Sequence, residues 1–169
     1  MVQVDTPRLL LRPPVIDDFN DLHALTASPE MRKHLAGFAQ VEDDYKRLLS
    51  TIGCWATFGY GTFSVIERES GNYVGNCGIF QLLRGLGEGF DGFPEAGWII
   101  AHSRWGRGYA TEAMTATIDW FERTHGVRRT VCMIAPGNTA SEQIAARLGY
   151  LPTRLAEHRG DAVQLYARE

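Results

Sequence analysis

The chain lacks any apolar run approaching the ~20 residues that span a bilayer. The segment from Met1 to Arg12 carries an acid and a proline where a secretory leader needs an unbroken apolar stretch. A cytoplasmic protein with no membrane partner is the expectation. Excess positive charge is missing as well. Lys and Arg number 17 against 20 Asp and Glu, a net charge of −3, and the basic residues form no dense stripe, so nothing supports nucleic-acid binding. Cysteine is scarce and odd in number, at Cys54, Cys77 and Cys132, without metal-ligand spacing. These read as buried free thiols in a reducing compartment, not as a disulfide framework or a metal site. No repeat, low-complexity tract or linker divides the 169 residues, so residues 1–169 read as one domain. A hydrophobic share of 44% and a charged share of 22% are ordinary for a globular protein able to bury a substantial core.

Two nucleotide-binding signatures are absent. There is no Gly-x-x-x-x-Gly-Lys-Ser/Thr run, and Thr111 stands where a dinucleotide fingerprint needs its third glycine. What the chain does have is Trp105-Gly106-Arg107-Gly108-Tyr109-Ala110-Thr111-Glu112, two glycines just ahead of a helical pattern. The apolar positions Ala110, Ala113, Met114, Thr117, Ile118 and Phe121 recur at i, i+3 and i+4. Residues without a Cβ let the backbone approach an anion, and the unpaired N–H groups of a first helical turn point at it. The dipole supplies only ~0.3–1 kcal/mol per exposed charge, so several N–H groups must act together. A glycine turn that merely starts a helix is the plain alternative.

The remaining pattern is strands with intervening helices. Arg8 to Arg12 reads as a first strand stopped by Pro13-Pro14, and a helix follows over roughly Asp17 to Thr26, with Asp17 and Asp18 as capping residues. A second helix runs from about Val41 to Trp55. Thr62 to Glu67 and Asn72 to Leu83 form a hairpin around Ser70-Gly71-Asn72. After a glycine-rich loop, Glu95 to Ala101 is the strand leading into the Gly106–Gly108 turn, and the helix beyond it ends near Gly126. Thr130 to Ile134 is a short strand. Asn138 then opens a helix that presents Ile144, Ala145 and Leu148 on one face and ends at Gly149. Thr153 to His158 and Ala162 to Ala167 are the last strands. This order implies an α/β (α+β) domain, a mixed sheet with helices on both faces.

The run Trp-Gly-Arg-Gly-Tyr-Ala-Thr-Glu-Ala resembles the acetyl-CoA pyrophosphate loop of the GNAT superfamily of N-acetyltransferases. The family pattern Arg/Gln-x-x-Gly-x-Gly/Ala falls on Trp105, Gly108 and Ala110, and Trp105 departs from the commonest residue. With that tryptophan, the opening Thr6-Pro7-Arg8-Leu9-Leu10-Leu11-Arg12, Asn138-x-x-Ser141 and Leu148-Gly149-Tyr150, the chain is similar to the RimJ/RimL-like branch. The resemblance implies a central sheet of about seven strands splayed in its middle. It also implies acetyl-CoA as acyl donor, held by Gly106, Arg107, Gly108, Tyr109, Ala110 and Thr111 at the phosphates. Trp98, Ile99 and Ile100 would pair with the pantetheine arm, with the Ile100 N–H as oxyanion donor. The resemblance likewise implies that Asn138 would contact the same arm while capping its helix, and that Ser141 would stabilise the departing sulfur.

An amine attacking a thioester needs a base, an oxyanion donor and a proton for the leaving group. Glu95 is the candidate base. Read alone it is an ordinary strand-end charge, but the resemblance places an acid here in a Glu-x-Gly context; Glu88, Asp91 or a water relay are competitors. Tyr150 reads as core. His102 reads as a loop histidine near the cofactor, and His23, His34, His125 and His158 are grouped with no other ligand type. Trp55, Trp98 and Trp120 read as packing, Trp105 as a support for the loop, and Glu112 as a charge favouring the helix start. An α-amine of pKa ~8 costs ~1.4 kcal/mol to deprotonate at pH 7 and a lysine ~4.6 kcal/mol, so one modest base suits an α-amine better. The expected acceptor is a protein N-terminus or a small-molecule amine, in a pocket shaped by the loop from Gly85 to Pro94, with the enzyme a monomer or homodimer. The alternative is a non-catalytic acyl-CoA-binding sensor or assembly module.

Overall fold

Neighbouring residues on a strand point to opposite faces, so a strand that is buried throughout must be covered twice. In the computed structural model, which describes residues 2–32 and 40–169, that condition holds at the sheet centre. The elements are β1 (Val4–Asp5), β2 (Leu9–Arg12), α1 (Phe19–Ala27), α2 (Pro29–Arg32), α3 (Val41–Phe58), β3 (Thr62–Glu67), β4 (Tyr73–Phe80), β5 (Glu95–Ile100), α4 (Tyr109–His125), β6 (Thr130–Ile134), α5 (Thr139–Arg147), β7 (Leu151–His158) and β8 (Asp161–Arg168). Short 3-10 turns occupy Ile16–Asp18 and His102–Arg104. On β3, the Phe63 ring meets Trp120 of α4, while the next side chain, Ser64, bonds Asp18 at the entry to α1. Helices therefore lie on both faces.

Among the described residues the sheet has eight strands in the order β1-β2-β3-β4-β5-β6-β8-β7, one more than expected. The extra strand, β1, pairs only Val4 with Leu11 and Asp5 with Leu10, too short a run to show alternation in the sequence. The four-residue α2 is undetectable for the same reason. Helix and strand positions otherwise follow the sequence, with shifted ends: α1 starts after a 3-10 turn, α3 continues to Phe58, β4 stops at Phe80, and β7 begins at Leu151. His34 lies outside the described residues.

Asp18 does more than cap. It accepts the Val15 N–H (3.0 Å), and it also takes the Arg12 guanidinium (2.8 and 2.6 Å) and the Ser64 hydroxyl (2.7 Å) in a buried setting. Burial pushes this carboxyl up, but the bonds from Arg12, Val15 and Ser64 outweigh it and hold the group below its usual range. Asp17 stays exposed.

All three cysteines are buried and free. The face of α4 read from the sequence is the buried one: Ala113, Met114, Thr117, Ile118 and Phe121 face the core. Each of its large apolar side chains contributes about 1.5–3 kcal/mol by leaving water. Close approach matters most between β4 and β5. A Cβ on Gly75 would fall inside the van der Waals envelope of the Ile99 carbonyl oxygen, with the Ile100 Cα at 3.0 Å. Gly75→Ala should therefore push β5 off β4 and cost about 1–3 kcal/mol, read as a lowered urea midpoint. An unchanged midpoint would contradict the packing described here.

Candidate active site

Every neighbouring pair in the sheet is antiparallel except β5 and β6, which are parallel and registered at a single position, Glu95 with Val131. By contrast, β4 and β5 pair continuously from Phe80–Glu95 to Gly75–Ile100. Beyond Glu95, then, β5 and β6 part, and the sheet opens into a cleft. Alternation along β5 decides which backbone groups face it. Ala101 donates its N–H to Val74 on the β4 side (2.8 Å), and Pro94 accepts the Val131 N–H on the β6 side (2.9 Å). The backbone groups of Gly97 and Ile99 thus turn to β4, and those of Ala96, Trp98 and Ile100 turn to the cleft. Trp105 donates its indole N–H to the Ile100 carbonyl on this side (2.6 Å).

The chain leaves β5 through the 3-10 turn and reaches α4 by the exposed turn Gly106–Gly108. Gly108 is the N-cap of α4 in the left-handed region (φ 76), and it brings no side chain to cap the helix. The Glu112 N–H is the first to bond back, to the Gly108 carbonyl (3.0 Å), so the amides of Tyr109, Ala110 and Thr111 lie in the unpaired first turn. Backbone arranged in this way can receive an anion. Arg107 lies exposed beside it, and His102 is exposed too, with its ring edge-on to Trp105.

Side chains fix this turn from behind. The Tyr109 side chain points inward, and its hydroxyl donates to Glu67 (2.8 Å). Glu67 also accepts the Arg104 guanidinium through both oxygens (2.9 and 2.8 Å) and the Ser70 hydroxyl (2.6 Å). Glu112 does more than favour a helix start. It accepts the Thr6 hydroxyl (2.6 Å) and the backbone and Nε of Arg8 (3.0 and 2.6 Å), while Arg8 Nη1 donates to the Arg107 carbonyl (2.8 Å). The Arg8 guanidinium also lies 4.6 Å from the centre of the Tyr109 ring.

On the other rim, α5 begins with Asn138, whose side chain accepts the Ser141 N–H (3.2 Å), the capping role read from the sequence. Ser141 is half-buried one turn into the helix. Tyr150 is buried, with its hydroxyl against Thr130 (2.8 Å), and belongs to the core as expected, although it precedes β7 instead of lying in it.

At the closed end of the split sits Glu95, only 4% exposed. Arg84 holds both its oxygens, Nε to Oε2 (2.8 Å) and Nη2 to Oε1 (2.9 Å). Burial pushes the Glu95 carboxyl up, and Arg84 pulls in the opposite direction without cancelling the shift. The competing acids are placed differently. Asp91 accepts the N–H groups of Gly87 (2.6 Å) and Arg84 (3.0 Å), which shapes the glycine-rich loop and keeps its carboxyl below the usual range; Glu88 is exposed on that loop. Leu86 and Phe90 from the same loop pack with Val131, Val163, Leu165 and Ala167, which seats Arg84 beside Glu95. Sequence reasoning missed Arg84, Glu67 and Arg104. Their pairings join residues far apart in the chain, and no local pattern marks them; Arg8 alone had a signal, in the Thr6-Pro7-Arg8 opening.

The model of the acetyltransferase (GNAT) domain matches residues 8–151. The uncharacterized N-acetyltransferase p20 of Bacillus licheniformis is 26% identical over 148 residues, 86% of this chain and 80% of its own length. A Bordetella pertussis structure assigned to the GnaT acetyltransferase family superposes with a TM-score of 0.89 at 31% identity, covering 100% of both chains. RimL, a ribosomal L7/L12 alpha-N-protein acetyltransferase solved in complex with coenzyme A, shares the fold with a TM-score of 0.78 at 18% identity, over 99% of this chain and 97% of that one.

The Glu67 cluster makes the loop's attachment sensitive to acid. Hydrogen bonds from Arg104, Ser70 and Tyr109 hold the Glu67 carboxyl down at about 2. Its contribution to stability is complete above the ordinary glutamate range of ~4.3 and is lost as pH falls through that range toward about 2. Glu67→Gln should lower the melting temperature at pH 7 and converge on the parent protein toward pH 2. A melting-temperature difference independent of pH would contradict this assignment.

Proposed function

The chain belongs to the GNAT acetyltransferase family, and from that premise we propose that it moves an acetyl group from acetyl-CoA to a primary amine by direct transfer in the cleft between β5 and β6. The observation that carries this reading is the continuity between the free inner edge of β5 and the uncapped N-terminus of α4. The Trp98 and Ile100 backbone, with Ile99 between them, would hold an extended donor arm, and the amides of Gly106 to Thr111, with Arg107 alongside, would take its phosphates. The residues fit the group, because the backbone donors they offer are the ones the fold leaves unsatisfied.

Acetyl-CoA supplies the activated acyl group. The Ile100 N–H faces the cleft and stabilises the oxygen that gains charge when the amine adds. Glu95 stands at the closed end as general base. A carboxylate has about four lone-pair sites, so the two bonds from Arg84 leave it able to accept a proton, directly or through a water. Asn138 orients the donor arm on the opposite rim. Ser141 offers its hydroxyl to the departing sulfur, which needs only stabilisation because a thiol of pKa ~8.5 leaves readily as thiolate. The acceptor is an α-amine, of a protein N-terminus or a small molecule, for which a single carboxylate base is sufficient.

Calorimetric titration with acetyl-CoA, followed by CoA release over a panel of α-amino peptides, amino acids, polyamines and aminoglycosides, tests this. Binding with turnover on one class supports transfer; binding without turnover favours a sensor. Gly108→Ala should weaken acetyl-CoA binding about tenfold or more and cost about 1 kcal/mol in stability, since alanine is strained at this φ. Glu95→Gln should leave acetyl-CoA affinity intact and lower kcat by about 10²–10⁴. Glu95 serves as a base only when ionised, so the parent enzyme should lose kcat/KM as pH falls through a value above the ordinary ~4.3. The Gln variant should lose that limb, and an unchanged profile would remove Glu95 from the mechanism.

A further inference from the structure

Around Arg84, the residue that holds Glu95, lies a cavity of about 300 Å³ lined by Leu82, Leu83, Arg84, Glu157, His158 and Arg159. Its two walls are the segment that follows β4 and the β7–β8 hairpin. Arg84 belongs to both places. Its Nε and Nη2 are committed to Glu95, while its Nη1 takes no part in either bond. The cavity is therefore coupled to the closed end of the split through one guanidinium.

The opposite wall carries a residue in an unusual position. His158 pairs with Asp161, so Arg159 and Gly160 form a two-residue turn, with φ of 56 and 88. Positive φ at both central residues is the type I′ form, which favours Asn or Gly first and Gly second. Arg159 is the one non-glycine residue at positive φ among the described residues. A long cationic side chain gains nothing in such a turn, and the strain calls for a reason outside it. Arg84 and Arg159 both act on His158: burial first, then these two cations, hold its imidazole below its usual value, with Asp161 opposing. The two guanidinium groups therefore bear on the same small space.

We propose that this cavity is the subsite for a carboxylate carried by the acceptor amine, with Arg159 as its specificity-determining residue and Arg84 Nη1 as the second donor. The inference rests on the acetyl-transfer reading and narrows its acceptor to a small amine bearing a carboxylate. Guanidinium is the side chain best suited to binding a carboxylate through parallel hydrogen bonds. The charges also set an upper limit. Glu95 and Glu157 set two negative charges against the two guanidinium groups, so the surroundings are close to neutral before a guest arrives; they exclude a polyanion, and recognition of one carboxylate rests on the guanidinium hydrogen bonds. Polyamines and aminoglycosides would meet Arg159 with like charge. The volume is at the low end of the range for small-molecule sites, which fits a guest of amino-acid size.

The test compares matched acceptors in the wild type and in Arg159→Asn. Asparagine relieves the turn, so the variant should fold with a melting temperature no lower than the parent. The acceptors are α-amino acids with their amides, and N-terminal Asp dipeptides with their Asn counterparts, which separates a main-chain from a side-chain carboxylate. CoA release gives KM, and titration into the CoA-loaded protein gives affinity without turnover. The expected result is a KM for carboxylate acceptors about tenfold or more below that of the amides in the wild type. That advantage should disappear in Arg159→Asn, with acetyl-CoA affinity and the KM for amides unchanged. Carboxylate-dependent binding without turnover with any acceptor would uphold the subsite and count against transfer instead. Turnover with equal KM for acid and amide, an advantage that survives Arg159→Asn, or no binding of either acceptor would overturn the subsite, and turnover by itself would leave acetyl transfer standing.

Discussion

The organisation of this protein depends on one constraint: β5 and β6 run parallel but pair as strands at one position, Glu95 with Val131. On either side the sheet is closed by continuous antiparallel pairing, β4 with β5 and β6 with β8. The two halves are thus joined at a point and diverge from it. A parted pair of central strands leaves backbone donors and acceptors with no partner in the fold, a costly condition unless water or a ligand satisfies them. Both helices that follow the parted strands, α4 after β5 and α5 after β6, begin at the open end. The positive ends of two helices and the free edge of a strand therefore border one cleft without any side chain having to create it.

What the side chains contribute is position. Ion pairs such as Glu67–Arg104 and Arg84–Glu95 are mostly buried, with desolvation costs that offset much of their attraction, so their net stabilisation is smaller than their bonds suggest, although removing one partner is destabilising. Their effect is geometric. Glu67 holds Arg104 and Tyr109 on either side of the glycine turn, and Arg8 with Glu112 holds it to the first strands, so the turn's amides stay pointed outward. Arg84 performs the corresponding task at the closed end, fixing the orientation of Glu95 and favouring its ionised form against burial. The loop that supplies Arg84 is itself ordered by Asp91 and by the packing of Leu86 and Phe90.

The difference between what was legible in the sequence and what was not follows from range. Helix α4, its buried face, the glycine turn at its start and the Asn138 cap are written in residues within a few positions of one another, and each is where the sequence put it. Short elements without a full period, β1 and α2, left no trace. Asp18 was read as a cap because its neighbours allow that; its bonds to Arg12 and Ser64 require knowing that β3 lies beside it. Tyr109 belongs to the glycine motif, yet its side chain serves Glu67, 42 residues away in the chain, and only its backbone faces the cleft. Glu95 was legible as a strand-end acid, but its guanidinium partner and its burial were not.

If the cleft is the site of transfer, the free edge of β5 and the first turn of α4 must receive the same molecule. Residue-resolved amide exchange, with and without acetyl-CoA, measures this directly. The Trp98 and Ile100 amides, which face the cleft, and those of Tyr109, Ala110 and Thr111 should become protected together. The Ile99 amide, already turned to β4, should change little. Protection of Ile99 in place of its neighbours, or protection confined to another surface, would contradict the cleft as the site.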